Sequence, residues 1–521
     1  MSFIANQKAF LRPEPILAGG FPFRTACPAA RRQDTLEETW KSAPRLDLRR
    51  HRYVDYVSTR GSAPALGFAD VLLAGLADDG GLYVPRTWPT LSREVFAGFA
   101  GRPYAEVAQA VIAPFVGDEI PAADLRRMCV DAYAGFRHRA TAPLRETGPG
   151  EWVLELFHGP TLAFKDFAMQ LLARLMDHVL ARRNERITLI AATSGDTGGA
   201  AVEAFAGRNN IDLFVLFPEG RVSPFQQRQM TTTGAANVHA LAVEGTFDDC
   251  QAMVKAAFGN REIRRRLAIT GVNSINWARI VAQIVYYVSA AVALGAPKVP
   301  VAFSVPTGNF GDVFAGYAAK RMGLPVGRLI VATNVNDILA RTLATGRYEI
   351  RDVHATTSPS MDIQISSNFE RLLFEAYGRD AAAVRALMED LRTNRAFTIA
   401  TAPLAAIRDD FAAGMADEAE VAATIAETYR DTGFLPDPHT AVGIAVGQRF
   451  RQEDLPLVTL STAHPAKFAA AVEAATGRPP QFPDGFDDLA DRKQTFTVIA
   501  NDQRRFETYL TEHARAVKNE A

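Results

Sequence analysis

The sequence predicts an α/β protein, with two parallel-sheet α/β domains behind a mostly helical N-terminal domain. Three observations carry that prediction. After residue 152, short continuous apolar runs alternate with amphipathic helical stretches, as expected of strands buried on both faces and joined by crossover helices. Before residue 146, apolar residues recur instead at spacings of three and four, a helical period. The length of 521 residues leaves room for roughly two to four domains, each able to bury its own core.

In chain order, residues 1–52 are expected to form a basic, flexible and dispensable extension. They carry ten Lys/Arg and five Asp/Glu, with Pro13, Pro15, Pro22 and Pro28 scattered through the first half. Only 35–41 reads as a short helix. Residues 53–146 form the helical domain, with Val71, Leu72, Gly75 and Leu76, then Leu125, Met128, Cys129 and Ala132, on helix faces. A smaller α/β domain is expected over 147–265. A larger one follows over 266–521, expected to be discontinuous. Strands are expected at 152–157, 187–192, 213–217, 238–243, 299–305, 329–333 and 456–461.

Composition narrows the function. A formal net charge of −1 with 48% hydrophobic residues excludes a disordered solvating chain and a basic nucleic-acid binder. Cys27, Cys129 and Cys250 lie too far apart for a metal-binding pair or a disulfide framework, and no HExxH occurs, so no metal is expected. No apolar run approaches the roughly twenty residues of a membrane helix. Pro13 and Glu14 interrupt any secretory signal. A cytoplasmic protein acting on a small molecule is the reading, and the sequence carries no signal for oligomeric state.

Ligands of open α/β sheets bind at the carboxyl ends of strands, so the strand-to-helix turns matter most. Thr193-Ser194-Gly195-Asp196-Thr197-Gly198 precedes an expected helix at 200–206. Its small residues, hydroxyls and free helix-start N–H groups suit a phosphate or carboxylate. Thr307-Gly308-Asn309-Phe310-Gly311-Asp312 precedes a helix at 313–322 and offers a second anion cradle. It matches neither the dinucleotide nor the P-loop pattern. Leu460-Ser461-Thr462-Ala463-His464-Pro465-Ala466-Lys467 presents a hydroxyl at a third strand end. Before the helix expected at 167–180 lies Phe164-Lys165-Asp166. An apolar setting lowers a lysine's pKa and makes its amine a usable nucleophile and base. A lysine of that kind beside two anion cradles points to pyridoxal 5′-phosphate, whose aldehyde a lysine holds as a Schiff base.

These motifs resemble the threonine synthase family, of the longer bacterial and fungal type, within the fold type II pyridoxal-phosphate enzymes. The resemblance runs through Tyr56-Val57-Ser58-Thr59-Arg60-Gly61, Asp79-Gly80-Gly81-Leu82-Tyr83, Phe157-His158-Gly159-Pro160-Thr161, Ser194-Gly195-Asp196-Thr197-Gly198 and Asn273-Ser274-Ile275-Asn276-Trp277. It continues through the 308–311 loop, Ser367-Asn368-Phe369-Glu370-Arg371 and Asp437-Pro438-His439-Thr440-Ala441 to about residue 480. It implies that Lys165 bonds the cofactor and moves protons. By the same resemblance Thr307, Gly308, Asn309, Phe310, Gly311 and Asp312 hold the cofactor phosphate, and Thr462 meets the pyridine nitrogen. Ser194, Gly195, Asp196 and Thr197, with Asn276, would bind the substrate, Asp196 also facing the cofactor's phenolic oxygen. The implied reaction converts O-phospho-L-homoserine and water to L-threonine and phosphate. The alternatives are a lyase giving 2-oxobutyrate and a non-catalytic metabolite-binding relative. Two residues depart from many relatives, Asp312 and Asp196, each a carboxylate where an asparagine is common. Each is expected to turn away from bound anions or to pair with a cation.

Overall fold

The computed structural model describes residues 54–516 except 194, 487 and 490. The expected 35–41 helix and the rest of 1–52 therefore lie outside the described residues.

Two sheets organise the chain. The larger has six strands, ordered Phe411–Met415, Val326–Thr333, Val301–Pro306, Leu457–Ser461, Glu151–Glu155 and Leu144–Gly148. All its pairings are parallel except the last, where Leu144–Gly148 runs antiparallel along an edge. The smaller is a five-stranded parallel sheet, ordered Thr497–Ala500, Val238–Glu244, Ile211–Pro218, Ile187–Ala192 and Ile269–Thr270. Ile211–Pro218 is buried along its whole length, so it reads as an unbroken apolar run.

Sheet membership redraws the expected domain boundaries. Strands Leu144–Gly148 and Glu151–Glu155 join the larger sheet, although they precede the smaller one in sequence. Ile269–Thr270 and Thr497–Ala500, expected in the larger domain, pair in the smaller sheet. The reason is physical: Phe506 and Leu510 of helix Gln503–His513 bury completely against Phe214 and Leu241, and that holds the C-terminal segment on the smaller sheet. Nor does 53–146 keep a core of its own. Tyr56, Phe68 and Phe115 share one apolar cluster with Trp277 and the helices of the α/β region.

The helix Trp277–Ala293 is apolar on nearly every side and packs on helices Tyr104–Val116, Lys165–Arg183 and Gly311–Arg321. It forms the central support beneath the strand-to-helix turns.

Candidate active site

Lys165 opens the helix Lys165–Arg183 and is only 8% exposed. The segment leading to it is sewn to the third strand-end turn. Leu156 N–H donates to Ser461 O at 2.9 Å, Phe164 N–H to Thr462 O at 2.8 Å, and His464 N–H to Leu162 O at 3.0 Å. Lys165 and Thr462 thereby become neighbours in space although they are distant in sequence. The Thr462 hydroxyl makes no hydrogen bond to another described residue.

Lys165 Nζ lies 3.4 Å from Asp196 Oδ2, and the Phe164 ring is 4.9 Å away. Asp196 begins the helix Asp196–Phe205, ahead of the start expected at 200. Its Oδ1 accepts from Lys467 Nζ at 2.8 Å and from Gln226 Nε2 at 2.8 Å. Burial alone would raise the Asp196 carboxyl. The Lys467 and Lys165 ammoniums, with hydrogen bonds from Lys467 and Gln226, hold it far below the usual carboxylate range. Burial also lowers the Lys165 ammonium below its ordinary value; Asp196 opposes this, and Lys467 and Arg279 reinforce it.

The turn before Asp196 is shaped by Thr193, whose Oγ1 accepts from the N–H groups of Gly195 and Gly198, both at 2.9 Å. Gly195 sits at φ 144°, where a Cβ would also come within 2.4 Å of the Gln226 amide. Only glycine fits there. Thr197 is half-buried, with its hydroxyl unbonded among the described residues. Ser194 lies outside the described residues.

In the second cradle, carbonyls are tied back and amides are left over. Gly308 O accepts from Ser366 Oγ at 2.7 Å, and Asn309 O accepts from Asn368 Nδ2 at 2.9 Å. Thr307 turns its hydroxyl to Val305 O at 2.6 Å. Phe310 adopts φ 62°, and helix Gly311–Arg321 starts directly after it. No hydrogen bond among the described residues uses the N–H of Gly308, Asn309, Phe310, Gly311 or Asp312. A Cβ on Gly308 would stand 2.7 Å from the Ser360 carbonyl oxygen. A row of free amides at a helix start, with its carbonyls occupied, fits the phosphate of pyridoxal phosphate.

Asp312 turns its carboxylate to two phenols. Tyr286 and Tyr287 hydroxyls both donate to Oδ1, at 2.5 and 2.9 Å, while Oδ2 is buried without a partner. Burial raises the Asp312 carboxyl to about 6, against those bonds and the Lys165 charge. Of the two arrangements expected for this carboxylate, the one seen is turned away, with phenols rather than a cation as partners. Asn276 is engaged by the scaffold. Its Oδ1 caps Ala278 N–H at 3.0 Å and its Nδ2 donates one N–H to Leu72 O at 2.9 Å.

Two side chains of this site escaped the sequence reading, Gln226 and Arg279, while Lys467, at the close of the third strand-end turn, was given no role there. Gln226 and Lys467 both reach Asp196 from distant segments, and no local pattern announces that meeting. Arg279 is 4% exposed, and its Nη1 donates to Val272 O at 3.1 Å. Its Nε has no partner, and no described carboxylate pairs with it. Val272 lies just past the carboxyl end of Ile269–Thr270, the parallel neighbour of the strand that carries the Thr193 turn. Among the described residues no cluster could hold a metal ion, and no helix is long and apolar enough to cross a membrane.

Fold and site together define a pyridoxal-phosphate-dependent enzyme, and the family described as pyridoxal-phosphate dependent enzyme matches residues 138–459. The families described as threonine synthase N terminus and threonine synthase, C-terminal match 55–133 and 440–510. The chain belongs to the threonine synthase family. It is 51% identical to the threonine synthase of Pseudomonas aeruginosa over 465 residues, covering 89% of this chain and 99% of that one. A crystal structure of PLP-bound threonine synthase from Brucella melitensis matches with TM-score 0.88 and 60% identity, covering 89% of this chain and all of that one. The yeast threonine synthase structure matches with TM-score 0.84 and 38% identity, over 88% and 98% of the two chains.

Proposed function

We propose that the protein acts in the cytoplasm and converts O-phospho-L-homoserine and water to L-threonine and phosphate. The observation that carries this reading is a buried Lys165 in a protein that also offers a row of unbonded loop amides and a buried arginine with no carboxylate partner among the described residues, whose charge acts on Lys165. When bound, pyridoxal phosphate would supply an electron sink for charge that develops beside the amino-bearing carbon.

The chain's own residues would do the rest. The amides of 308–312 would hold the cofactor phosphate, and the Thr462 hydroxyl would meet the ring nitrogen without protonating it. Lys165 Nζ, lowered by burial, would take the proton from the substrate's Cα and return protons during the turnover. Ser194, Gly195 and Thr197 would bind the substrate's carboxylate or phosphate on helix-start amides. Arg279 would neutralise an anionic group of the substrate, because an isolated buried charge is costly until an anion meets it. Asn276 would act by fixing the start of the helix that bears Arg279.

Borohydride reduction of the cofactor-loaded protein is expected to fix the cofactor on Lys165. Phosphohomoserine followed by NMR is expected to yield threonine and phosphate in equal amounts. Formation of 2-oxobutyrate in place of threonine would make the protein a lyase of the same substrate. An unlabelled Lys165 would reject the assignment of the lysine.

A further inference from the structure

Two buried lysines share one carboxylate. Asp196 is approached by Lys467 on Oδ1 at 2.8 Å and by Lys165 on Oδ2 at 3.4 Å. The two ammoniums are not equally provided for. Lys467, with a fully buried side chain, also donates to Thr161 O at 2.7 Å and reaches Gln229 Oε1 at 3.4 Å, so each of its three protons has an acceptor. Lys165 has the one long contact and the face of Phe164. Two positive charges on one negative charge in a buried site leave an excess that the protein relieves by releasing a proton. The lysine with fewer acceptors is the one that releases it.

We propose that Lys467 is a positioning residue: it holds Asp196 as a carboxylate turned mainly toward itself, so that Lys165 stands beside it as a neutral amine. The proposal rests on Lys165 being the cofactor lysine. It also accounts for an aspartate at position 196. With Lys467 bound to it, the pair is neutral overall and does not repel a neighbouring anionic oxygen as a lone carboxylate would.

Other charged groups reach Lys165. Arg279, on helix Trp277–Ala293, acts in the same direction as Lys467, and Asp312, on helix Gly311–Arg321, acts in the opposite one. Asp166 turns its carboxylate to Thr161, with Oδ1 taking the hydroxyl at 2.6 Å and Oδ2 the N–H at 2.8 Å. Helix Ala122–Tyr133 contributes Tyr133, whose hydroxyl donates to Phe167 O.

The test reads the protonation of Lys165 without turnover. Cofactor-free full-length protein is mixed with pyridoxal 5′-phosphate across about pH 6 to 10 and quenched with borohydride at intervals. In capture the lysine nitrogen bonds to the aldehyde carbon, and the carbonyl oxygen leaves as water with both amine protons. Borohydride then adds hydride to that carbon, and mass spectrometry counts modified Lys165. Lys467→Met is expected to raise the midpoint of the rate profile by about one unit, slowing capture near neutral pH about tenfold. Lys467→Arg should leave the midpoint in place, and Asp196→Asn should lower it. If Lys467→Met does not fold, the Asp196→Asn/Lys467→Met double variant is compared with Asp196→Asn, and its midpoint must lie higher. A Lys467→Met midpoint at or below the wild-type value, or coincidence of those last two profiles, overturns the proposal while leaving the functional reading intact. Absence of capture at Lys165 in the wild type overturns both.

Discussion

Asp312 is the residue where local chemistry and stability diverge most clearly. Its carboxyl titrates near 6 in the folded protein, against about 3.9 in an unfolded chain. Between those values the folded state holds a proton that the unfolded state has lost, so this group lowers stability as pH rises. Asp312→Asn keeps an acceptor for both tyrosines and removes the titration. Urea midpoints of cofactor-free protein should show the variant gaining on wild type between pH 4 and pH 7, by up to about 3 kcal/mol. Arg279→Gln tests the unpaired guanidinium. It should raise both the KM for phosphohomoserine and the inhibition constant of inorganic phosphate by about tenfold or more, or at least ~1.4 kcal/mol, with the cofactor absorbance unchanged. A KM within twofold of wild type would remove Arg279 from the substrate site. At this scale Lys165 and the loop glycines could be singled out as candidates from the sequence because their neighbours in sequence are their neighbours in space. The part of Lys467, and Gln226 and Arg279 altogether, could not, since Lys467 and Gln226 meet Asp196 from other segments and a polar residue in a helix looks the same in sequence whether buried or solvated.

Elements repeat that division. Strand 187–192 was read with the bounds observed, and 213–217 and 238–243 fall inside the strands seen, because continuous apolar runs mark strands covered on both faces. Phe411–Met415 escaped notice: its Ala-Ala-Gly centre carries no β-branched or aromatic signal. Leu144–Gly148 and Thr497–Ala500 are edge strands whose mixed exposure hides the pattern. The short helical turn Pro465–Phe468 owes its start to a cap, His464 Nδ1 accepting from Ala466 N–H at 3.2 Å. Burial and the neighbouring His158 hold the His464 imidazole down to about 4, against Asp437 and Glu155. An unfolded histidine takes its proton near 6.5, so stability is lost as pH falls from about 6.5 toward 4. His464→Asn retains a capping oxygen and does not titrate. Its stability deficit relative to wild type should therefore shrink between pH 7 and pH 4.5, by roughly 3 kcal/mol at most, as read by denaturant midpoints at each pH.

Across the whole molecule, the α/β class and the alternation of strands and helices were readable, whereas the partition into domains was not, because strand order is set by long-range pairing. The C-terminal segment adds an edge strand to the smaller sheet, and Arg515 pairs with the nearly buried Asp212 at 2.6 Å. Phe506→Ala should cost about 3 kcal/mol or more in urea unfolding, and the loss should be larger than for a truncation of an exposed side chain on the same helix. That late strand has a consequence for synthesis. Thr497–Ala500 leaves the ribosome after the other four strands of its sheet, and Lys467 shortly before it. Until then the nascent chain carries Asp196 with one of its two lysines, and Val238–Glu244 stands as the edge of the smaller sheet in place of Thr497–Ala500. An amide-rich cradle can form before then, but the charge balance around Lys165 is completed only once Lys467 has emerged and met Asp196.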